Sequence, residues 1–311
     1  MINFRFHLVS LVAVFLALAV GIVMGYGVLG QATVDTLRHR IDAVEANSET
    51  RRHENDALKV QVEQLDAATD ALAPFALTSR LTGSHLLVVA VRGVDSDTMA
   101  NAVQLARRGG AQAPGILWLE DNWLLKSADE RKALANAISS SATKASTLRE
   151  RGLRALADRL EHGPGIGVDL LRSLTDTGFV AFEGVGDAGN QPLAQLGGNG
   201  TMVLFAVGTA GALPATQVVA PLASASVAVQ LPLVIGELYH QVDNGPARGA
   251  LVGLIRSDGT LSKQVPTVDD LDRPSGPIVA LLAASDLQRG TVGHYGFGEG
   301  AAASAPPWWQ P

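Results

Sequence analysis

A chain of 311 residues, 47% hydrophobic and only 17% charged, holds enough apolar material for one large core or two modest ones and falls outside the disordered class. Its net charge of −6 excludes the basic face that nucleic-acid binding calls for, so no nucleic acid is expected as a partner. The absence of cysteine removes disulfides, thiolate catalysis and every Cys-based zinc or iron–sulfur site, while saying little about compartment.

The chain opens on an apolar segment with no charged residue from Leu8 to Gly30. As a helix it rises about 34 Å, against a hydrocarbon core of about 30 Å. The competing reading is a secretory signal, but its apolar region is usually about 7–15 residues and no small-x-small cleavage site follows here. Residues 1–30 are therefore expected to be a short stub and an uncleaved transmembrane helix. Arg5 and the amino terminus precede it, whereas Arg38 and Arg40 beyond it are offset by Asp35 and Asp42. That asymmetry places the N-terminus in the cytoplasm and the rest of a single-pass protein outside the cell membrane. Ala13, Ala17, Gly21 and Gly25 recur every fourth residue, forming a groove of small residues through which two such helices can pair. Chance is the alternative, since membrane helices are rich in Ala and Gly.

Residues 31–73 read as a coiled coil. Val34, Leu37, Ile41 and Val44, then Ser48, Arg51 and Asn55, then Leu58, Val62, Leu65, Thr69 and Leu72 keep a strict three–four alternation. No Pro or Gly interrupts it before Pro74. So narrow a seam has to be buried against another helix, and the local sequence offers no hairpin partner. A parallel homodimer is the natural solution, with Asn55 fixing register at some cost in stability. The alternative is a helix lying on its own globular domain.

Beyond Pro74 the pattern changes to strands alternating with helices, expected to form an α/β domain over 80–298 with a mostly parallel sheet. Strands are predicted at 85–91, 115–120, 178–182, 202–207 and 233–238. Helices are predicted to begin after Asp95 and to cover 128–138, 147–161, 169–174, 247–256 and 278–287. Residues 299–311, rich in Ala and Pro and holding Trp308 and Trp309, read as a disordered tail.

Candidate chemistry is sparse. Gly184, Gly186 and Gly189 follow a predicted strand with dinucleotide-loop spacing, yet Pro192 and Gly197-Gly198 arrive where a helix should open, so a surface turn is the default. The run Gly163-Pro164-Gly165 reads as a linker. No histidine pair has the i, i+4 spacing of a helical metal site, leaving only a folded pairing of His240 with His294 to consider. Asp269, Asp270 and Asp272 in the TVDDLD run are read first as helix caps and Asx turns, and second as a cation or catalytic cluster. No nucleophile motif is present. The expected catalytic, cofactor and metal residues are therefore none, and the expected class is not an enzyme.

Two separated stretches resemble one actinobacterial family, the copper transporter family typified by mycobacterial copper transport protein B (MctB), also called SteB-type. The first is HLVSLVAVFLALAVGIVMG, from His7 to Gly25. The second runs from Thr267 to Gly298, opening on Asp269, Asp270 and Asp272 and closing on Gly293, Tyr295, Gly296 and Gly298. The resemblance implies either copper efflux through an envelope channel, or a cell-division scaffold that acts with a cytoplasmic-side or membrane-proximal partner and with envelope proteins on peptidoglycan hydrolases. Copper enters by this resemblance alone. A single apolar helix without a polar lining does not enclose a pore unless several assemble, so the scaffold role is the first expectation and copper efflux the second.

Overall fold

The computed structural model describes residues 4–186, 192–198, 200–241 and 245–307. The chain divides into two units, one ending at Leu65 and the other beginning at Asp66.

The first unit is part of helix α1 (Phe4–Leu77). Its segment Phe4–Gly25 has mean hydropathy 2.7 and is long and apolar enough to cross a membrane. Ala13, Ala17, Gly21 and Gly25 are exposed, as are the seam positions Val34, Leu37, Ile41, Val44, Asn55, Leu58, Val62 and Leu65. The single chain thus leaves this apolar stripe uncovered. Helix α1 runs on past Pro74 to Leu77. Proline removes only its own N–H from the ladder, and the last turn is held by the Thr78 hydroxyl donating to the Pro74 carbonyl at 2.5 Å and by burial of Ala73 and Leu77.

In the second unit the elements follow as β1 (His85–Val91), α2 (Ser96–Arg108), β2 (Gly115–Leu119), α3 (Ala128–Ala137), α4 (Ala145–His162), α5 (Leu170–Asp176) and β3 (Val180–Gly184). Then come β4 (Thr201–Gly208), α6 (Ala215–Val229), β5 (Leu233–Leu238), α7 (Ala250–Arg256), β6 (Thr267–Val268), α8 (Ser275–Gln288) and β7 (His294–Tyr295). They build a seven-stranded sheet in the order β3-β2-β1-β4-β5-β6-β7. Every pairing is parallel except β2 with β3. The mostly parallel α/β sheet is as the alternation of strands and helices requires.

Both faces are covered, which is why β1 and β4 are apolar at nearly every position instead of alternating. Leu87, Val89 and Val91 point to a core completed by Leu156 of α4, Leu222 of α6 and Ile255 of α7. Leu86, Val88 and Ala90 point the other way, onto Met99 of α2, Leu281 of α8 and Leu77 at the end of α1. Helix α6, absent from the sequence reading, is the crossover that parallel β4 and β5 demand. Its β-branched residues and internal Pro221 mask the helical period. Chain order turns outward in two directions from β1, so the C-terminal ends of β1 and β4 flank a topological switch point.

The expected tail is partly built into the sheet edge. Ala302 N–H donates to the His294 carbonyl at 2.8 Å and Gly296 N–H to the Ala303 carbonyl at 3.0 Å. Trp308 and Trp309 lie outside the described residues.

Candidate functional site

The opening and the close of the second motif stretch, TVDDLD and GHYGFG, meet at the β6–β7 edge. Thr267 and Val268 form β6, and the two turns that follow β6 and β7 face each other. This corrects the reading of TVDDLD as a capping loop. Asp269 and Asp270 are among the most deeply buried polar residues, at 0% and 1% exposure, and only Asp272 stands at the surface.

Asp269 organises the site. Its Oδ1 accepts the Phe297 N–H at 2.8 Å, and its Oδ2 accepts the Gly298 N–H at 3.0 Å and Arg256 Nη1 at 2.8 Å. For those amides to reach it, the backbone at Gly296 takes φ +123°, a region closed to most side chains, and a Cβ there would lie 2.2 Å from Asp269 Oδ1. At Gly293 a Cβ would lie 2.1 Å from the hydroxyl of buried Tyr295. The glycine spacing of GHYGFG is therefore a cradle for a carboxylate and a phenol.

Arg256, on the last turn of α7, ties the edge together. Its Nε donates to Thr267 Oγ1 at 2.9 Å, Nη1 to Asp269 and to the Glu299 carbonyl at 2.8 Å, and Nη2 to the Tyr295 carbonyl at 2.8 Å. The guanidinium is 4% exposed. With Thr267 Oγ1 accepting from Arg256, its hydroxyl hydrogen is free for His294 Nδ1 at 2.9 Å, which leaves His294 Nε2 to donate to the Ser262 carbonyl at 3.0 Å. Burial depresses the His294 pKa, in keeping with that neutral tautomer.

Glu237, buried at the end of β5, points at the start of α7. Its oxygens accept the N–H groups of Gly249, Leu251 and Val252 at 2.9, 3.0 and 3.2 Å, capping the helix from a neighbouring strand. Burial raises its pKa, those three bonds oppose the rise, and the charge of Asp269 adds to it. Arg248 grips Asp272 with both terminal nitrogens at 2.7 Å, donates to the Asp269 carbonyl at 2.8 Å and stacks on Tyr239 at 4.6 Å. Asp270 differs from its neighbours. Its Oδ1 has no hydrogen-bond partner and Ser275 Oγ is 3.5 Å from Oδ2. Burial first, then the charges of Asp269 and Asp272, pushes its pKa up to about 6.

Glu237, Arg248 and Arg256 escaped the sequence reading because each is far along the chain from the motif. One signal was present: Glu237 is an acid at the penultimate position of an otherwise apolar strand, LVIGEL. Such a residue is buried only when paired.

Beside this knot, Gly93, Asp95, Gly208, Tyr239, His240 and Asp272 line an open crevice of about 460 Å³ at the switch point, where open α/β sheets commonly bind ligands. The helix N-terminus there is already filled, since Asp95 accepts from the Thr98 N–H at 2.8 Å and from its hydroxyl at 2.5 Å. A phosphate would meet an anion in its place. The Gly184–Gly186 turn leaves β3, the antiparallel edge strand, and Gly189 lies outside the described residues. His240 lines the crevice, whereas both ring nitrogens of His294 are engaged by Thr267 and Ser262. Among the described residues no group of three or more His, Cys, Asp and Glu side chains is arranged to hold a metal ion.

A family described as "Copper transport outer membrane protein, MctB" matches residues 1–306. Proteins named "Copper transporter MctB" from Mycobacterium bovis and Mycobacterium tuberculosis are each 27% identical over 315 residues, covering 97% of this chain and 98% of theirs. One of the same name from Mycobacterium leprae is 25% identical over 324 residues, covering 99% and 100%.

Proposed function

This chain belongs to the MctB copper transport family, and we propose that it works as a non-enzymatic, membrane-anchored scaffold of the cell envelope, paired through its long helix and binding other envelope proteins through its α/β domain. The observation that carries this reading is the uncovered seam on α1. Val34, Leu37, Ile41, Val44, Leu58, Val62, Leu65 and Leu72 are all exposed large hydrophobics at heptad spacing, and a second copy of the helix is the simplest cover. The stripe of Ala13, Ala17, Gly21 and Gly25 suits close pairing of the same helices in the bilayer. On this reading the anchor crosses the cell membrane with its N-terminus in the cytoplasm, and the α/β domain lies outside. The knot around Asp269 favours a binding role over catalysis, because the charges of Asp269 and Arg256 are spent on backbone groups and on each other. The scaffold's output is cell separation, through partners that govern peptidoglycan hydrolases.

The family favours a second reading, copper efflux or copper homeostasis, in which several copies or a partner complete the channel. One apolar helix encloses no pore, and a sheet packed by helices on both faces offers no lipid-facing barrel wall. Copper is then cargo handled by the assembly, and no resident cofactor is proposed.

The test is cell-associated copper in a strain lacking this protein under copper challenge, with cell separation scored in the same cultures. Chained or misdivided cells at unchanged copper are the expected result. Raised copper with normal separation overturns the scaffold reading in favour of transport.

A further inference from the structure

We propose that the helix seam does not end at the coil but continues into the α/β domain, where Phe75 of each chain seats in an apolar groove on a second copy of this chain. The groove lies between the last turns of α1 and helix α8, walled by Leu72, Ala73, Ala76, Ile278, Val279 and Leu282, and has a volume of about 210 Å³. A dry apolar cavity of about 150 Å³ is enough to hold a benzene molecule, so this groove takes a phenyl ring. Leu72, 62% exposed, and Phe75, 77% exposed, line this groove in their own chain and leave its mouth apolar, so the Phe75 that enters it comes from the second copy.

Heptad phase names the occupant. With Val34 at position a, the strict alternation puts Leu72 at d, Ala73 at e, Phe75 at g and Ala76 at a. In a parallel two-stranded coil the g position of one helix faces the e side of the other. On α1 the e side is where α8 packs: Ala73 is buried in the same cluster as Ile278, Val279 and Leu282. Phe75 from one helix is therefore carried toward the α1–α8 groove of its partner, and two-fold symmetry repeats the contact. Pro74 falls at f, the outermost position, where its missing N–H disturbs the seam least. This inference rests on the paired-helix reading above, deepening it by assigning the α/β domains a contact of their own.

The test uses the full-length chain in membranes, with two differently tagged copies and a photoreactive benzoylphenylalanine in place of Phe75. Val62→Cys, oxidised to a disulfide in a parallel sample, reports the coil independently. The expected result is the Val62→Cys disulfide together with an interchain photo-adduct mapping to Ser275–Gln288 of the other copy. Ala305→Trp, which fills the groove from its rim, is expected to reduce that adduct at least fivefold while leaving the disulfide intact. A disulfide with only intrachain adducts, or with an adduct indifferent to Ala305→Trp, overturns the groove contact and leaves the paired helix standing. Loss of both disulfide and adduct overturns the pairing itself, and the groove contact with it.

Discussion

At the scale of single residues, Asp270 and Asp269 sit side by side in opposite electrostatic situations. Asp269 has three donors, whereas Asp270 has one unpartnered oxygen and its burial opposes ionisation. With a folded pKa near 6 against an ordinary 3.8, Asp270 binds more protons folded than unfolded between those values. Its contribution therefore favours the fold at low pH and is lost as pH rises through about 4 to 6, by at most ~3 kcal/mol. Asp270→Asn is expected to raise stability at pH 7.5 and to flatten the pH dependence of Tm over that window. An unaltered profile in thermal melts of the detergent-solubilised chain would refute this. Asp269→Ala works in the other direction. It strands Arg256, 4% exposed, without its counter-ion, at an expected cost of about 3–5 kcal/mol. Gly296→Ala should destabilise as well, since it combines a φ of +123° with a Cβ placed 2.2 Å from Asp269 Oδ1. Both losses are read as shifts of the denaturant midpoint.

At the scale of elements, the short helix α7 owes its place to a residue that is not its own. Glu237 supplies from β5 the acceptors that an N-cap side chain normally provides. Glu237→Leu is expected to release the first turn of α7, seen as faster amide exchange at Gly249, Leu251 and Val252 than at α8. Equal protection in the variant would show that packing alone holds the turn. On α1, Asn55 interrupts the seam with a polar group. Asn55→Val is expected to raise the thermal stability of the paired helix while broadening its oligomer distribution in light scattering. A lower Tm with an unchanged mass would count against Asn55 as a core position.

At the scale of the whole molecule, the chain joins a segment long and apolar enough to cross a membrane to an α/β domain whose sheet is covered on both sides. If the apolar helix is an anchor and not a removed signal, mass spectrometry of the membrane fraction should find N-terminal peptides carrying Phe4–Gly25. A mature chain beginning after Gly30 would contradict the anchor and, with it, the pairing through Ala13, Ala17, Gly21 and Gly25. The copper and cell-separation experiment belongs here too, because neither output is the property of one site.

The apolar span and most strands and helices were legible in the sequence, because each depends on the local period of apolar residues along one segment. The family, too, could be recognised from the motifs at His7–Gly25 and Thr267–Gly298. What those motif residues do was decided only by tertiary structure. Nothing in TVDDLD distinguishes Asp269, buried on amides and an arginine, from Asp270, buried with an oxygen unpaired, since the partners come from α7 and the turn after β7. The two-residue strands β6 and β7 were equally hidden, being too short to show a period and existing only through register, β6 with β5 and β7 with β6. A charge's environment is set by what folds around it. The local pattern names the elements, and the long-range contacts assign their charged residues a role.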